Sequence, residues 1–262
     1  MKYIVASGCS FTDPRWVPHK DPIRPKTWDS WPEIIAKWCD NEHLVKNVGE
    51  MGASTHLIIK NASQEIHKGK KVDLVLLQLT DWSRWSVYGS KYNAFHAAAN
   101  QLDPIDTENR FRSGIYTWRH TSPQELITEN FLMILNFIHT CKSLGIKVLI
   151  GQNHIGPIST DLLNNILSDE KKIERIEDLY PGLTKDPALK RWTDRNFILN
   201  EWITNPYFKE LDKHKDCLIG WPWFPELGGK TVSSSEFEIS ERDHHPNAIG
   251  QEFIAEQYFR RM

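Results

Sequence analysis

The chain has 262 residues, of which 25% are charged and 40% apolar, and its 32 Lys and Arg nearly balance its 34 Asp and Glu. A globular chain of this length buries about 70–75% of the surface that it exposes when unfolded, so it needs no disulfide framework. The formal charge of −2 excludes a general electrostatic attraction to nucleic acid or to anionic membrane surfaces.

The cysteines, the first residues and the apolar runs are those of an ordinary cytoplasmic protein. The four cysteines form no C-x-x-C pair, which argues against a structural zinc site and a disulfide scaffold. The first apolar run is too short for the h-region of a signal peptide, and no run approaches the roughly 20 residues that span a bilayer. We therefore expect a cytoplasmic protein with no metal, no organic cofactor, no membrane contact and no nucleic-acid partner, and the sequence leaves its oligomeric state open.

Apolar runs of strand length alternate along the chain with segments of helical period. The third run is almost continuously apolar, as is typical of a strand buried on both faces of a sheet. The predicted strands are Tyr3–Ala6, His43–Val48, Asp73–Leu79, Lys147–Ile150 and Cys217–Trp221.

Four helices have recognisable beginnings. Ser30 and Ser122 each open an S-x-x-E capping box, Ser54 begins a third helix, and Asn247 is a candidate cap for the last one. The residues predicted to face the core are Trp31 and Trp38; Leu57, Ile58, Ala62 and Ile66; Ile127, Phe131, Ile134, Ile138 and Cys141; and Ile249, Phe253, Ile254 and Tyr258.

This alternation predicts an α/β fold, a three-layer α/β/α sandwich with a central parallel sheet of about five strands. Two longer stretches, at about 82–121 and 156–216, interrupt the alternation, and each follows a predicted strand. We therefore predict a single domain over residues 1–262 with two insertions above the carboxyl edge of the sheet.

Polar blocks stand where the chain leaves the predicted strands, and open α/β sheets bind ligands at the carboxyl ends of their strands. SGCSFT (residues 7–12) follows the first strand, NVGEMGAS (47–54) the second and QLTD (78–81) the third. DHHPN (243–247) precedes the last predicted helix.

These four blocks, in this order, resemble the SGNH (GDSL-type) hydrolase superfamily, and the resemblance covers nearly the whole chain. Gly8–Ser10 resembles the G-D-S block that carries the nucleophile, with Cys in place of Asp. Asn47–Gly52 resembles the block whose glycine N–H binds the oxyanion, and Gln78–Asp81 keeps only the Asp of G-x-N-D. Asp243–His245 resembles the D-x-x-H block with one residue fewer.

The resemblance implies a flavodoxin-like fold and ester hydrolysis through an acyl-Ser10 intermediate. The chemistry agrees, because a serine hydroxyl is a poor nucleophile until a base takes its proton, and histidine is the usual base. His245 would be that base, and Asp243 would fix its tautomer and stabilise the imidazolium. The N–H groups of Ser10 and Gly52 would bind the oxyanion.

The third block lacks the asparagine that supplies a further oxyanion donor in this superfamily. Three alternatives remain: Thr80 donates through its hydroxyl, Asn153 after the fourth strand takes the place, or the hole is impaired. The loss of one donor typically costs on the order of 10²–10³ in rate. Beside this block, we expect Asp81 to cap a turn, while Arg84 is either a clamp for a carboxylate, phosphate or sugar hydroxyl or a solvated surface arginine.

The proposed site residues also have purely structural interpretations. Ser10 could be only a turn residue, Gly52 only a turn glycine with positive φ, and His245 only a loop histidine. Asp243 and the two adjacent histidines could also indicate a metal site. No other cluster has metal-ligand spacing, so we expect no metal.

Tryptophan is the unusual feature of the composition, with 11 residues. Trp16, Trp28, Trp82, Trp85 and Trp118 fall in predicted loops near the carboxyl edge, where aromatic rings suit sugar rings or acyl groups and also hold irregular insertions together. We therefore predict a serine esterase acting on small acyl (acetyl) esters of carbohydrates, with a small-molecule or glycan ester as its partner. The alternative is a catalytically silent glycan- or nucleotide-binding module on the same scaffold.

Overall fold

The computed structural model describes residues 1–16, 27–40, 42–80, 82, 84–87, 95–98, 121–152, 168, 170–179, 181–187, 191–192, 194–229, 236–240 and 243–262. For some of these, including 84–87, 95–98, 243 and 244, it describes the backbone only. Most of the first predicted insertion and residues 156–167 of the second lie outside this part of the chain. Within the described residues, no helix has the length and apolarity needed to cross a membrane.

The described strands are β1 (Lys2–Gly8), β2 (His43–Asn47), β3 (Leu74–Leu79), β4 (Arg84–Val87), β5 (Phe95–Ala98), β6 (Lys147–Gln152), β7 (Leu218–Ile219), β8 (Glu238–Ser240) and β9 (Asp243–Pro246). The central sheet has five parallel strands in the order β2-β1-β3-β6-β7, and two antiparallel pairs, β4–β5 and β8–β9, stand apart from it. The five central strands lie where the apolar runs predicted them.

This strand order confirms the predicted α/β fold class. Counted along the chain, the five sheet strands run 2-1-3-4-5, which is the flavodoxin-like order. The chain leaves β1 toward one edge of the sheet and then returns to build the other edge, so the order reverses between β1 and β3. Ligands of open α/β sheets bind at such a switch point, outside the carboxyl ends of the strands.

The predicted capping residues begin four helices. Glu125 N–H donates to Ser122 Oγ at 3.1 Å, and Gly250 N–H donates to Asn247 Oδ1 at 2.9 Å. Ser54 likewise caps its helix. The described helices are α1 (Trp31–Trp38), α2 (Thr55–Ile66), α3 (Pro123–Ser143), α4 (Glu170–Leu179), α5 (Arg195–Thr204), α6 (Pro206–Asp212) and α7 (Ala248–Phe259).

Two helical layers cover the sheet. Helices α1 and α7 pack against each other on one face, where the Trp31 and Tyr258 rings stack at 4.6 Å. Helices α2 and α3 cover the other face, and α5 and α6 pack against α3. The predicted core stripe of α3 is buried at all five positions: Ile127, Phe131, Ile134, Ile138 and Cys141.

Two residues predicted to face the core are exposed instead. Trp38 is 41% exposed, because it is the last residue of α1 and its ring packs edge-on against Phe259 at the end of α7. Ile249 is 53% exposed. It is rotated about 140° from Ile254 and about 180° from Tyr258 at 100° per residue, so it lies on the opposite face of α7.

A buried polar contact fixes α7 beneath the carboxyl ends of the central strands. The Tyr258 hydroxyl accepts the Gly151 N–H at 3.0 Å and lies within hydrogen-bond distance of Leu77 O and Gln78 Oε1. Burial raises the pKa of Tyr258, so this hydroxyl keeps its proton. The helix that follows His245 is therefore fixed in position against β3 and β6.

Candidate active site

Ser10 and His245 meet at the carboxyl end of β1, although 235 residues separate them in the sequence. Ser10 Oγ lies 2.8 Å from His245 Nε2. The serine is in the turn after β1, where the Thr12 and Asp13 N–H groups both donate to Cys9 O, and it is 5% exposed. The ring nitrogen is within reach of the hydroxyl proton, as base-assisted attack by a serine requires.

Thr12 locks the turn that carries Ser10. Trp31 Nε1 donates to Thr12 Oγ1 at 3.0 Å, and Asn47 Nδ2 donates to Thr12 O at 2.7 Å. Two glycines leave room for this side chain. A Cβ on Gly8 would overlap Thr12 Oγ1, and a Cβ on Gly49 would lie 2.8 Å from Thr12 Cβ. The glycine of the first block is therefore required by close packing against the turn.

Helix α7 connects the Ser10 turn with the strand that carries His245. Gln251 Nε2 donates to Phe11 O at 3.1 Å, and Gln251 Oε1 accepts the Trp31 N–H at 2.8 Å. At the beginning of the same helix, Asn247 Nδ2 donates to Glu236 O at 2.8 Å, beside the β8–β9 pair. His245 thus lies on a short strand rather than in the predicted loop, and a single helix supports both Ser10 and His245.

Two backbone N–H groups predicted to bind an oxyanion are without partners in the described part of the chain. Neither Ser10 N–H nor Gly52 N–H donates a hydrogen bond to any described residue. Gly52 has a φ of 75°, so it is the turn glycine of the structural interpretation, and this conformation is compatible with the predicted role of its N–H. Next to it, Met51 N–H donates to Asp13 Oδ2 at 3.0 Å, which ties this segment to the Ser10 turn.

Thr80 follows the last residue of β3, the strand next to β1 in the sheet. Gly8 pairs with Gln78 in the parallel register, so the chain leaves both strands at the same edge of the sheet, on β1 toward Ser10 and on β3 toward Thr80. Thr80 is 1% exposed, and its Oγ1 has no hydrogen-bond partner among the described residues. Burying a hydroxyl without a hydrogen-bond partner destabilises the folded protein. The Thr80 hydroxyl is therefore able to donate to a ligand without breaking an internal hydrogen bond.

Asp13 is a buried site residue that the sequence analysis missed. It is 4% exposed, and its carboxylate accepts the Arg15 N–H at 2.9 Å and Arg15 Nε at 3.1 Å in addition to the Met51 N–H. The hydrogen bonds from Arg15 to this carboxylate raise the pKa of the guanidinium. The Asp-Pro dipeptide at 13–14 is a turn signal that could have drawn attention to this position.

Trp16 lies on His245 rather than at an open rim. The two rings stack at 4.1 Å with an interplanar angle of 22°, and Phe11 approaches the same imidazole edge-on at 5.5 Å. Trp16 is 3% exposed, which agrees with the alternative that these tryptophans hold irregular segments together. Trp82, at 2% exposed and stacked on Trp192, is equally covered. The side chains of Trp85 and Trp118 are outside the described residues.

The structure does not describe the side chains of four further predicted site residues. Asp81 and Asn153 lie outside the described residues. Arg84 is on β4 and Asp243 on β9, where the structure describes their backbone only. Within the described residues, no group of three or more His, Cys, Asp and Glu side chains is arranged to hold a metal ion.

Comparison with solved structures gives similar folds over nearly the whole chain. A carbohydrate acetylesterase family member from Sinorhizobium meliloti is 13% identical with a TM-score of 0.49, covering 99% of this chain and 96% of that one. An acetyl xylan esterase from Geobacillus stearothermophilus is 12% identical with a TM-score of 0.44, covering 99% and 94%. A member of the lipolytic protein G-D-S-L family from Veillonella parvula DSM 2008 is 12% identical with a TM-score of 0.43, covering 99% and 97%. The similar structures thus include the family that the sequence motifs resemble. No protein-family model and no curated protein matches the sequence.

Proposed function

We propose that this chain is a serine ester hydrolase of the SGNH type that transfers an acyl group to Ser10 and then to water. The observation that carries the proposal is the 2.8 Å contact between Ser10 Oγ and His245 Nε2. In the resting state the hydroxyl donates to a neutral imidazole. The imidazole takes that proton as Oγ attacks the ester carbonyl carbon.

Charge then develops on the carbonyl oxygen, and three donors would receive it. The Ser10 and Gly52 N–H groups and the Thr80 hydroxyl donate to no described residue, so no internal hydrogen bond has to break when an oxyanion arrives. Preorganised donors of this kind are each worth about 10²–10³ in rate. With three donors, the missing asparagine of the third block would not leave the hole impaired.

The tetrahedral intermediate collapses when His245 returns its proton to the leaving alcohol, which leaves the acyl group on Ser10. His245 then takes a proton from water, the hydroxide attacks the acyl carbon, and the carboxylic acid departs as Ser10 recovers its proton. We assign Asp243 as the carboxylate that stabilises the imidazolium in both halves of the reaction.

The substrate that we propose is a small acyl, above all acetyl, ester of a carbohydrate. Ser10 is 5% exposed, which favours a short acyl group over a long chain. The segment after β3 combines Arg84 with Trp85, a polar and aromatic pair suited to a sugar. Acetyl esters should then exceed octanoyl esters in kcat/KM, and equal turnover of the two would remove the basis for this preference.

The first experiment is hydrolysis of p-nitrophenyl acetate by the wild type beside Ser10→Ala and His245→Ala. Each variant should lose at least about 10³-fold in kcat, because the nucleophile and base of a triad act as a unit. Ser143→Ala and His67→Ala are matched controls at exposed positions and should keep wild-type activity.

If the wild type does not hydrolyse p-nitrophenyl acetate, a fluorophosphonate probe distinguishes an esterase with a demanding substrate from a catalytically silent binding module. The probe phosphonylates an activated serine oxygen with loss of fluoride. Labelling of the wild type but not of Ser10→Ala would indicate an esterase with a demanding substrate. With neither turnover nor labelling, the esterase proposal fails, and a silent binding module for glycans or nucleotides becomes the better account.

A further inference from the structure

The Trp16 indole is held face to face with the His245 imidazole by its own local turn. The Trp16 backbone N–H donates to Asp13 O at 3.2 Å, and the Arg15 backbone N–H donates to Asp13 Oδ1 at 2.9 Å, so residues 13–16 form a closed turn. Pro14 stiffens this turn by fixing φ. The indole is 3% exposed and stands 4.1 Å from the imidazole, centroid to centroid.

An indole face in this position acts differently on the two protonation states of the imidazole. The electron-rich face attracts an imidazolium and has little preference for the neutral ring, and Trp is the strongest of the aromatic residues in this respect. Covering the ring also removes water, which by itself disfavours the charged form. The stack therefore opposes the desolvation that burial imposes on His245.

We propose that Trp16 is a positioning residue that fixes the His245 ring against Ser10 and stabilises its protonated form. The role in catalysis rests on the proposed esterase function, because the imidazolium forms when Ser10 attacks. The effect on His245 itself does not depend on turnover, so the two can be tested separately.

Other charged and titratable groups on the segments around His245 also act on its charge. None of them changes in the variants below, so a difference between variants reports the aromatic face alone. These groups are Cys9, Asp13, Arg15, Glu50, Glu238, Asp243, His244 and Glu252.

The direct test is an NMR titration of the His245 Cε1–H signal, which is assigned by its absence in His245→Gln. In Trp16→Leu, an apolar side chain still covers the ring but the aromatic face is gone. The pKa of His245 should fall by about half a unit to one and a half units. Trp16→Phe, with a weaker aromatic face, should lie between Leu and the wild type.

The same variants should move the pH profile of ester hydrolysis. The acid limb of kcat/KM reports the base of the free enzyme, so in Trp16→Leu it should shift to lower pH by the amount that the titration gives. The value of kcat at the plateau should fall about 3- to 30-fold, since the imidazolium of the transition state loses the same stabilisation.

Trp38→Leu is the matched control, because Trp38 is a half-exposed tryptophan packed on Phe259 at the ends of α1 and α7. It should change neither the pKa of His245 nor the pH profile. An unchanged or higher pKa in both Trp16 variants overturns the inference, and so does an equal shift in Trp38→Leu. If Trp16→Leu does not fold, Trp16→Phe decides by the direction of its shift.

The failure of this inference can be told from that of the esterase proposal. A shifted pKa without Ser10-dependent turnover would remove the proposed function and leave the effect of Trp16 on His245 intact. Ser10-dependent turnover with an unshifted pKa would remove the role of Trp16 alone.

Discussion

Replacing Thr80 by valine should make the protein more stable and less active. Valine has nearly the shape of threonine and lacks the hydroxyl. In the described part of the structure Thr80 is 1% exposed and its Oγ1 has no hydrogen-bond partner, so the native protein carries an unsatisfied buried donor. If this hydroxyl binds the oxyanion, its removal lowers the free energy of the folded resting enzyme and removes a hydrogen bond that stabilises the transition state.

The expected changes in stability and in kcat both follow from the loss of Thr80 Oγ1. An unsatisfied buried polar group costs about 1–3 kcal/mol, so Thr80→Val should raise the free energy of unfolding by about 1 kcal/mol or more. For a chain of this size, each kcal/mol raises Tm by about 2–4 °C. The loss of one oxyanion donor should lower kcat by about 10²–10³-fold with little change in KM.

The assays are urea unfolding followed by circular dichroism and steady-state hydrolysis of p-nitrophenyl acetate. Thr80→Ser is the control, since it keeps the hydroxyl and loses one methyl group. It should retain activity and lose about 1 kcal/mol of stability. A Thr80→Val variant that is less stable than the wild type, or that keeps full kcat, would refute the assignment of this hydroxyl to the oxyanion hole.

Two further predictions concern the scaffold. A Cβ on Gly49 would lie 2.8 Å from Thr12 Cβ and Cγ2, so Gly49→Ala should lower the free energy of unfolding by about 1–3 kcal/mol. It should also reduce ester hydrolysis, because Thr12 belongs to the turn that carries Ser10. A urea-unfolding curve identical to that of the wild type would contradict this prediction. Burial and the hydrogen bond with Glu65 raise the pKa of Tyr3 from 10.0 to about 12, so the stability that Tyr3 contributes is fully present below pH 10 and is lost as the pH rises through about 12. Urea unfolding of Tyr3→Phe should accordingly lose less stability over this interval than the wild type, and an equal loss would show that Tyr3 is not the group responsible.

Local chemistry made much of the fold predictable. Ser30, Ser54, Ser122 and Asn247 are all N-caps in the structure, because capping depends on a side-chain oxygen and on N–H groups within three residues of it. The central strands were predictable for a similar reason. A strand buried on both faces must be apolar at successive positions, and the six residues Leu74–Leu79 are all buried.

Tertiary contact decided what helical periodicity could not. Trp38 has the spacing of a core residue in α1, but it stands at the helix end, where Phe259 covers it and the sheet does not. Ile249 belongs to α7, a helix with apolar residues on more than one face, so its sequence does not indicate which face is buried. The contact of Tyr258 with Gly151 determines that face. The β8–β9 pair escaped prediction because its strands are three and four residues long.

The same division between local and tertiary information runs through the candidate site. The resemblance of the motifs to the SGNH family predicted that the segments of Ser10 and His245 would meet. The parallel sheet by itself places only the Ser10 turn at the carboxyl edge, because His245 lies on β9, outside the central sheet. No motif indicated Asp13 or Trp16, yet both lie within six residues of Ser10. Asp13 binds the Gly52 segment through the Met51 N–H and also closes the turn that places Trp16 on His245. A single nine-residue stretch, 8–16, thus carries the proposed nucleophile, the anchor of a proposed oxyanion donor and the ring that faces His245. The three-residue motif at 8–10 identifies Ser10. Asp13 and Trp16 can be identified only in the folded structure, because their partners Met51 and His245 are distant in the sequence.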